Sequence, residues 1–289
     1  MAINESTLLK EVQDKAKQGD KDALFEMSYR DEEAVQLSNG ITPYVWRLYW
    51  MGRAAEEGHF DALRIYAGIC VEMPMPAKKN KVALEMYKKF GEECRKIGNR
   101  FWEAFAKMEQ GFILCEALGM YEDRDHIRGV KLIDEAKSII EIELGKKIGF
   151  TQLVRLGEIY GMGYTQEDEE PLAEDLRKAI KYLKDAKVRF PNTNEDFQAK
   201  IENQNKYKQA VDMLVVLEQH LMSKESMEGT NEVKEFVEGI MQKEKYNKKV
   251  AAERRKRMEE NHPQGLLIER ELRQLEERLF EKGYKNLNN

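Results

Sequence analysis

Four histidines, His59, His126, His220 and His262, are the first candidates for proton transfer or metal binding. They are scattered, and none pairs at an HxxxH or HExxH spacing. A zinc site needs three or four nitrogen or sulfur ligands converging, and nothing in the order of residues brings such a set together. The three cysteines, Cys70, Cys94 and Cys115, form an odd set without CxxC spacing and read as small apolar core residues. Carboxylates are abundant but recur on polar helix faces, as a solvated surface does. Gly157-Glu158-Ile159-Tyr160-Gly161-Met162-Gly163 offers glycines. It continues a helical pattern instead of following a strand, so it does not predict a phosphate cradle. These residues predict no catalytic site, no metal site and no cofactor.

A different chemistry is offered by the basic stretch 243–257. Lys248, Lys249, Arg254, Arg255 and Arg257 there could neutralise phosphates, with an affinity that falls with salt. Against this, Glu259 and Glu260 follow at once, and the only aromatic within it is Tyr246. The plainer reading is an exposed helix with ion pairs one turn apart, such as Glu244–Lys248. A net charge of −5 also argues against a global affinity for nucleic acid. Nucleic-acid binding through 243–257 stands as the alternative reading, and an enzyme with an unrecognised site as a second.

The elements that carry these residues come from a recurring phrase. Gly19-Asp20-Lys21-Asp22-Ala23 precedes Leu24 and Met27, and Gly58-His59-Phe60-Asp61-Ala62 precedes Leu63 and Tyr66. Gly98 with Ala104, and more loosely Gly149 with Leu153 and Leu156, continue a series in the period range of helical solenoids. Glycine takes the left-handed conformation that ends one helix, and a nearby Asp or Asn helps to start the next. The alanine lets two helices approach closely. A second phrase interleaves with the first. Asp175–Ala186 places Ala179, Tyr182, Leu183 and Ala186 on one helix face. Asp125–Ala136 repeats that pattern, as do Ala83, Met86, Tyr87 and Phe90, and Trp50, Met51 and Ala54 give a weaker copy. Two helix types alternate.

The junction Ala54-Ala55-Glu56-Glu57-Gly58-His59-Phe60-Asp61-Ala62 resembles the link between successive Sel-one-like repeats, relatives of the tetratricopeptide repeat. Leu156–Gly163 followed by Asp175–Ala186 is similar to the body of one such repeat. The resemblance covers roughly residues 8–190. It departs from the family pattern at Met73-Pro74-Met75-Pro76, at Arg47 and in the acidic insertion within Gly161–Pro171. The resemblance implies an all-α fold, an alpha-alpha superhelix. It also implies an adaptor or scaffold of the kind that serves signalling, secretion and host-contact systems.

After Pro191 the composition changes. Residues 194–223 and 231–260 read as long helices, Asn261–Gly265 as a turn, and 266–283 as a last helix with Ile268, Leu272, Leu275 and Leu279 on one stripe. Capping an exposed groove suits that stripe better than a coiled coil, which needs more heptads. The expected organisation is a solenoid over residues 1–190 and a helical C-terminal extension with a capping helix over 191–289.

The expected function is non-enzymatic recognition of another protein or peptide along a helical surface. Glu26, Arg64, Lys107 and Arg155, polar positions of the first helix in each pair, are the expected partner contacts. Trp46, Trp50 and Trp102 are expected in the core. With no export signal visible and no apolar run of about 18 residues, the expected location is the cytoplasm. Delivery as an effector without a cleavable signal stays open.

Overall fold

The computed structural model describes residues 5–30, 42–72, 79–116, 125–165, 171–190, 197–227 and 263–281. Among the described residues there are eleven α-helices and no strand, as an all-α chain requires. No helix among them is long and apolar enough to cross a membrane. The basic stretch 243–257, with Lys248, Lys249, Arg254, Arg255 and Arg257, lies outside the described residues, as do 231–260 and the acidic residues 166–170.

The chain forms two compact units, one of residues 1–99 and 255–289, the other of residues 100–254. The first holds α1 (Glu5–Gln18), α2 (Lys21–Met27), α3 (Pro43–Glu56), α4 (Phe60–Glu72), α5 (Lys79–Lys96) and α11 (Pro263–Glu281). From α1 to α5 each helix packs against the next. The turns between them repeat one hydrogen-bonded device. Gly58, at φ 79°, donates its amide to the Ala55 carbonyl, and His59 donates to Ala54. Gly19 and Asp20 donate in the same way to Ala16 and Lys15, and Gly98 and Asn99 to Arg95 and Cys94. This double bond satisfies the last carbonyls of a helix and needs a residue that tolerates positive φ.

The next helix then starts from a side chain. Asp20 accepts the amides of Asp22 and Ala23, while His59 accepts the Ala62 amide through Nδ1 at 3.2 Å. Thr42 caps α3 ahead of Pro43, whose missing N–H costs nothing in the first turn. Trp46 and Trp50 are fully buried, with Trp46 Nε1 donating to the Met27 carbonyl at 2.8 Å. The C-terminal helix α11 packs on α3 and buries Leu275 and Leu279, and Glu271 accepts hydrogen bonds from the Thr42 amide and hydroxyl. The stripe of α11 thus covers apolar surface of the first unit.

The second unit contains α6 (Arg100–Glu116), α7 (His126–Lys137), a π-helical turn (Ser138–Glu143), α8 (Phe150–Gly161), α9 (Ala173–Val188) and α10 (Phe197–Met227). Helix α6 lies along α7, α8 lies along α9, α6 touches α8, and α10 rests on α8 and α9. The composition change near Pro191 does not coincide with a limit of either unit, because α10 continues the core of the helices before it. Ala210, Leu214 and Leu217 of α10 join one buried cluster with Phe112, Ile133, Leu156 and Leu183. Helices α6 and α7 cross at Gly111 and Gly129, where a Cβ on Gly111 would stand 2.7 Å from the Gly129 carbonyl oxygen.

Gly149 differs from its expected role. Its φ is −70°, and it opens α8 as an extended N-cap residue. Gly145, at φ 58°, takes the left-handed position because the π turn ends there, with the Lys146 amide bonded to the Ile140 carbonyl. The left-handed residue is needed where a helix stops, and that point precedes the start of α8.

Candidate binding cleft

Helices α7 and α9, the second members of successive pairs, form the walls of an open cleft of about 600 Å³, with Tyr160 of α8 among its lining residues. Ile127, Val130, Asp134 and Lys137 line one wall because they recur at helical spacing on α7. Asp175, Lys178, Lys181 and Tyr182 do the same on α9. The Tyr160 and Tyr182 rings lie 5.7 Å apart, centroid to centroid.

Each ring carries a lysine. The Lys137 amine lies 5.0 Å from the Tyr182 centroid and donates to its hydroxyl across the cleft, with Asp134 at 3.8 Å. Lys178 stands 5.6 Å from the Tyr160 centroid and pairs with Glu174 at 2.8 Å. Lys137 is thus held at the hydroxyl edge of Tyr182 beside Asp134, and Lys178 is compensated by Glu174 next to the Tyr160 ring. Burial, with Asp134 and Tyr182 nearby, pushes the Tyr160 phenol up, so its hydroxyl keeps its proton. Asp175 is buried and accepts from Thr165 at 3.4 Å. The cleft presents cations, hydroxyls and an aliphatic end to whatever enters it.

The four expected contact residues do not line this cleft and fall two in each unit. Glu26 and Arg64 belong to the first unit, where Glu26 is exposed and pairs with Arg30, and Arg64 is half-buried. Lys107 and Arg155 belong to the second. Lys107 bonds Glu135 at 2.9 Å, which holds that carboxyl below its ordinary value. Arg155 bridges Glu109 at 2.6 Å and Glu116 at 2.7 and 2.9 Å, and its guanidinium lies 4.6 Å from the Phe112 centroid. Glu109 and Glu116 are two turns apart on α6 and so share a face toward α8. Burial pushes the Glu109 carboxyl up, and the Arg155 charge opposes the shift. Arg155 therefore works inside the fold, tying α8 to α6.

Of the tryptophans, Trp46 and Trp50 are core, while Trp102 is only partly buried, edge-on to Phe101 and Phe105. All three cysteines are buried as thiols. The residues that reading the sequence missed are Lys137, Lys178, Lys181, Tyr160 and Tyr182. The helical spacing puts Tyr182 on the apolar face of its helix and gives these lysines no role. Only a tyrosine breaking a stripe of small aliphatics at 179, 183 and 186 hinted at a surface there. No protein-family model matches the chain, no curated protein matches it, and no solved structure matches it.

Proposed function

We propose that the chain is a protein-binding scaffold, a Sel-one-like solenoid of stacked helix pairs that grips another polypeptide and carries out no chemistry of its own. The observation that carries this reading is the open cleft between α7 and α9, whose walls come from two successive helix pairs. A groove of this origin follows from stacking itself, because each pair buries its apolar side on its neighbours and leaves the outer faces for recognition. The repeated glycine-ended turns at Gly19, Gly58 and Gly98 support the repeat character of the chain. In the first unit, Glu26 and Arg64 remain the proposed contact positions.

The test is affinity capture with the full chain from its own cells, with chemical crosslinking and identification of the linked peptides. A polypeptide crosslinked to Lys137, Lys178 or Lys181 is the expected outcome. Retention of no polypeptide above a control bait overturns the scaffold reading.

A further inference from the structure

Helix α11 shows what the outer side of a second helix accepts in this chain. It packs on α3, with Glu271 bonded to Thr42 at the start of α3. Farther along, Glu276 lies close enough to Tyr49 and Glu56 for its charge to act on both. The two helices therefore run parallel. Leu275 and Leu279, one turn apart on α11, are each 1% exposed.

Helix α3 is the second helix of its pair, as α9 is of its own. The phrase they share aligns Trp50, Met51 and Ala54 with Tyr182, Leu183 and Ala186. In that register Lys181 stands where Tyr49 stands, and Val188 where Glu56 stands. Tyr49 is buried, whereas Lys181 is exposed and Val188 is 85% exposed. The face that α11 takes on α3 is thus open on α9, and it adjoins the cleft through Lys181.

The lining decides the kind of occupant. Lys178 is paired with Glu174 and Lys137 with Asp134, and Asp175 supplies a third carboxylate against Lys181. Three lysines against three carboxylates leave no net field to select a charged partner. Apolar contact must therefore do the selecting. Lys137 sits at the hydroxyl edge of Tyr182 and leaves the ring face uncovered. Ile127, 74% exposed, and Val130 add aliphatic surface on α7. From His126 to Lys137 that wall runs about 16 Å at the helical rise, the same span as the α11 stripe from Ile268 to Leu279.

We propose that the cleft between α7 and α9 receives an amphipathic α-helix of a partner polypeptide, laid along α9 as α11 lies along α3, with leucines one turn apart against Tyr182, Ile127 and Val130. This rests on the scaffold reading and gives the partner a form.

The experiment is fluorescence anisotropy of the full chain with a labelled peptide of residues 263–281 as the helical probe. The same peptide carrying Leu275→Ser and Leu279→Ser, and unlabelled oligothymidylate, serve as the other arms. Saturable binding of the first peptide is expected, with none of the serine peptide. Because the lining is balanced, binding should persist at about 0.3 M salt. Ile127→Glu in the full chain should weaken it about tenfold. Lys181→Tyr, which installs the residue of the α3 position, should strengthen it about threefold. Both side chains are exposed, so both variants should keep the wild-type circular dichroism spectrum. No saturable binding, loss of binding at that salt, equal binding by Ile127→Glu, no gain with Lys181→Tyr, or displacement by oligothymidylate at equal concentration would each overturn the proposal. Any of these results, with a polypeptide still captured from cells, leaves the scaffold reading intact. Capture of no polypeptide at all overturns the scaffold reading instead.

Discussion

Replacing Arg155 with methionine keeps much of the side-chain volume but removes the cation between two carboxylates. The three side chains are only 18%, 9% and 10% exposed for Arg155, Glu109 and Glu116, so water cannot take over the lost interactions. Removing one partner of such a pair leaves an uncompensated buried charge, which costs about 3–5 kcal/mol. At about 2–4 °C per kcal/mol for a chain of this size, the midpoint of thermal unfolding should fall by about 10 °C. The deficit must depend on pH. Burial already raises the Glu109 carboxyl, with Arg155 the principal opposing charge, so its loss drives the carboxyl higher still. A carboxyl raised in the folded state stabilises the fold fully below its unfolded value and loses that contribution as pH rises through the folded value. The Arg155→Met deficit is therefore largest at pH 8 and shrinks toward pH 5, and adding Glu109→Gln should restore about half of it at pH 8. Urea unfolding followed by circular dichroism at both pH values measures this. A loss under about 1 kcal/mol at pH 8, or an equal loss at both pH values, refutes the assignment.

Four further outcomes follow from the same structure. Gly111→Ala puts its Cβ 2.7 Å from the Gly129 carbonyl, which cannot yield, and should cost about 1–3 kcal/mol. Gly58→Ala meets no atom within 4 Å and bears only the left-handed backbone strain of φ 79°, costing about 1 kcal/mol. A larger loss in urea unfolding for Gly58→Ala would contradict the account. His59 accepts the Ala62 amide through Nδ1, so only its neutral form caps α4, and burial lowers its pKa against the opposing pull of Asp22. Its contribution is present above the ordinary value of 6.5 and is lost as pH falls through the lower folded value. His59→Asn, which caps without titrating, should flatten the stability slope between pH 7 and pH 5, and an unchanged slope counts against the cap. Leu275→Ala should cost about 2–4 kcal/mol and speed proteolytic cleavage of α11, since that leucine is 1% exposed beside α3. Unchanged cleavage would mean that the stripe contributes little to docking.

The sequence by itself determined where the helices before Gly19, Gly58 and Gly98 end. Gly19, Gly58 and Gly98 mark positions where only a residue without a Cβ turns the chain cheaply, and that requirement is local. The stripes of Ala83, Met86, Tyr87 and Phe90, and of Ala179, Leu183 and Ala186, fix the buried faces because helical period alone sets which residues share a side. The shift of the left-handed residue from Gly149 to Gly145 was not legible, since the helical period of the sequence does not mark the π turn at Ser138–Glu143, where Ile139 and Ile140 are buried. Only the tertiary structure decided that Arg155 would be held by Glu109 and Glu116, and that lysines on α7 and α9 would share one cleft. Both depend on which faces of separate helices meet. That is fixed by close approaches such as Gly111 on Gly129, and by cores assembled from residues far apart in the chain. A polar residue on a helix reads the same in sequence whether a neighbour neutralises it or leaves it facing water.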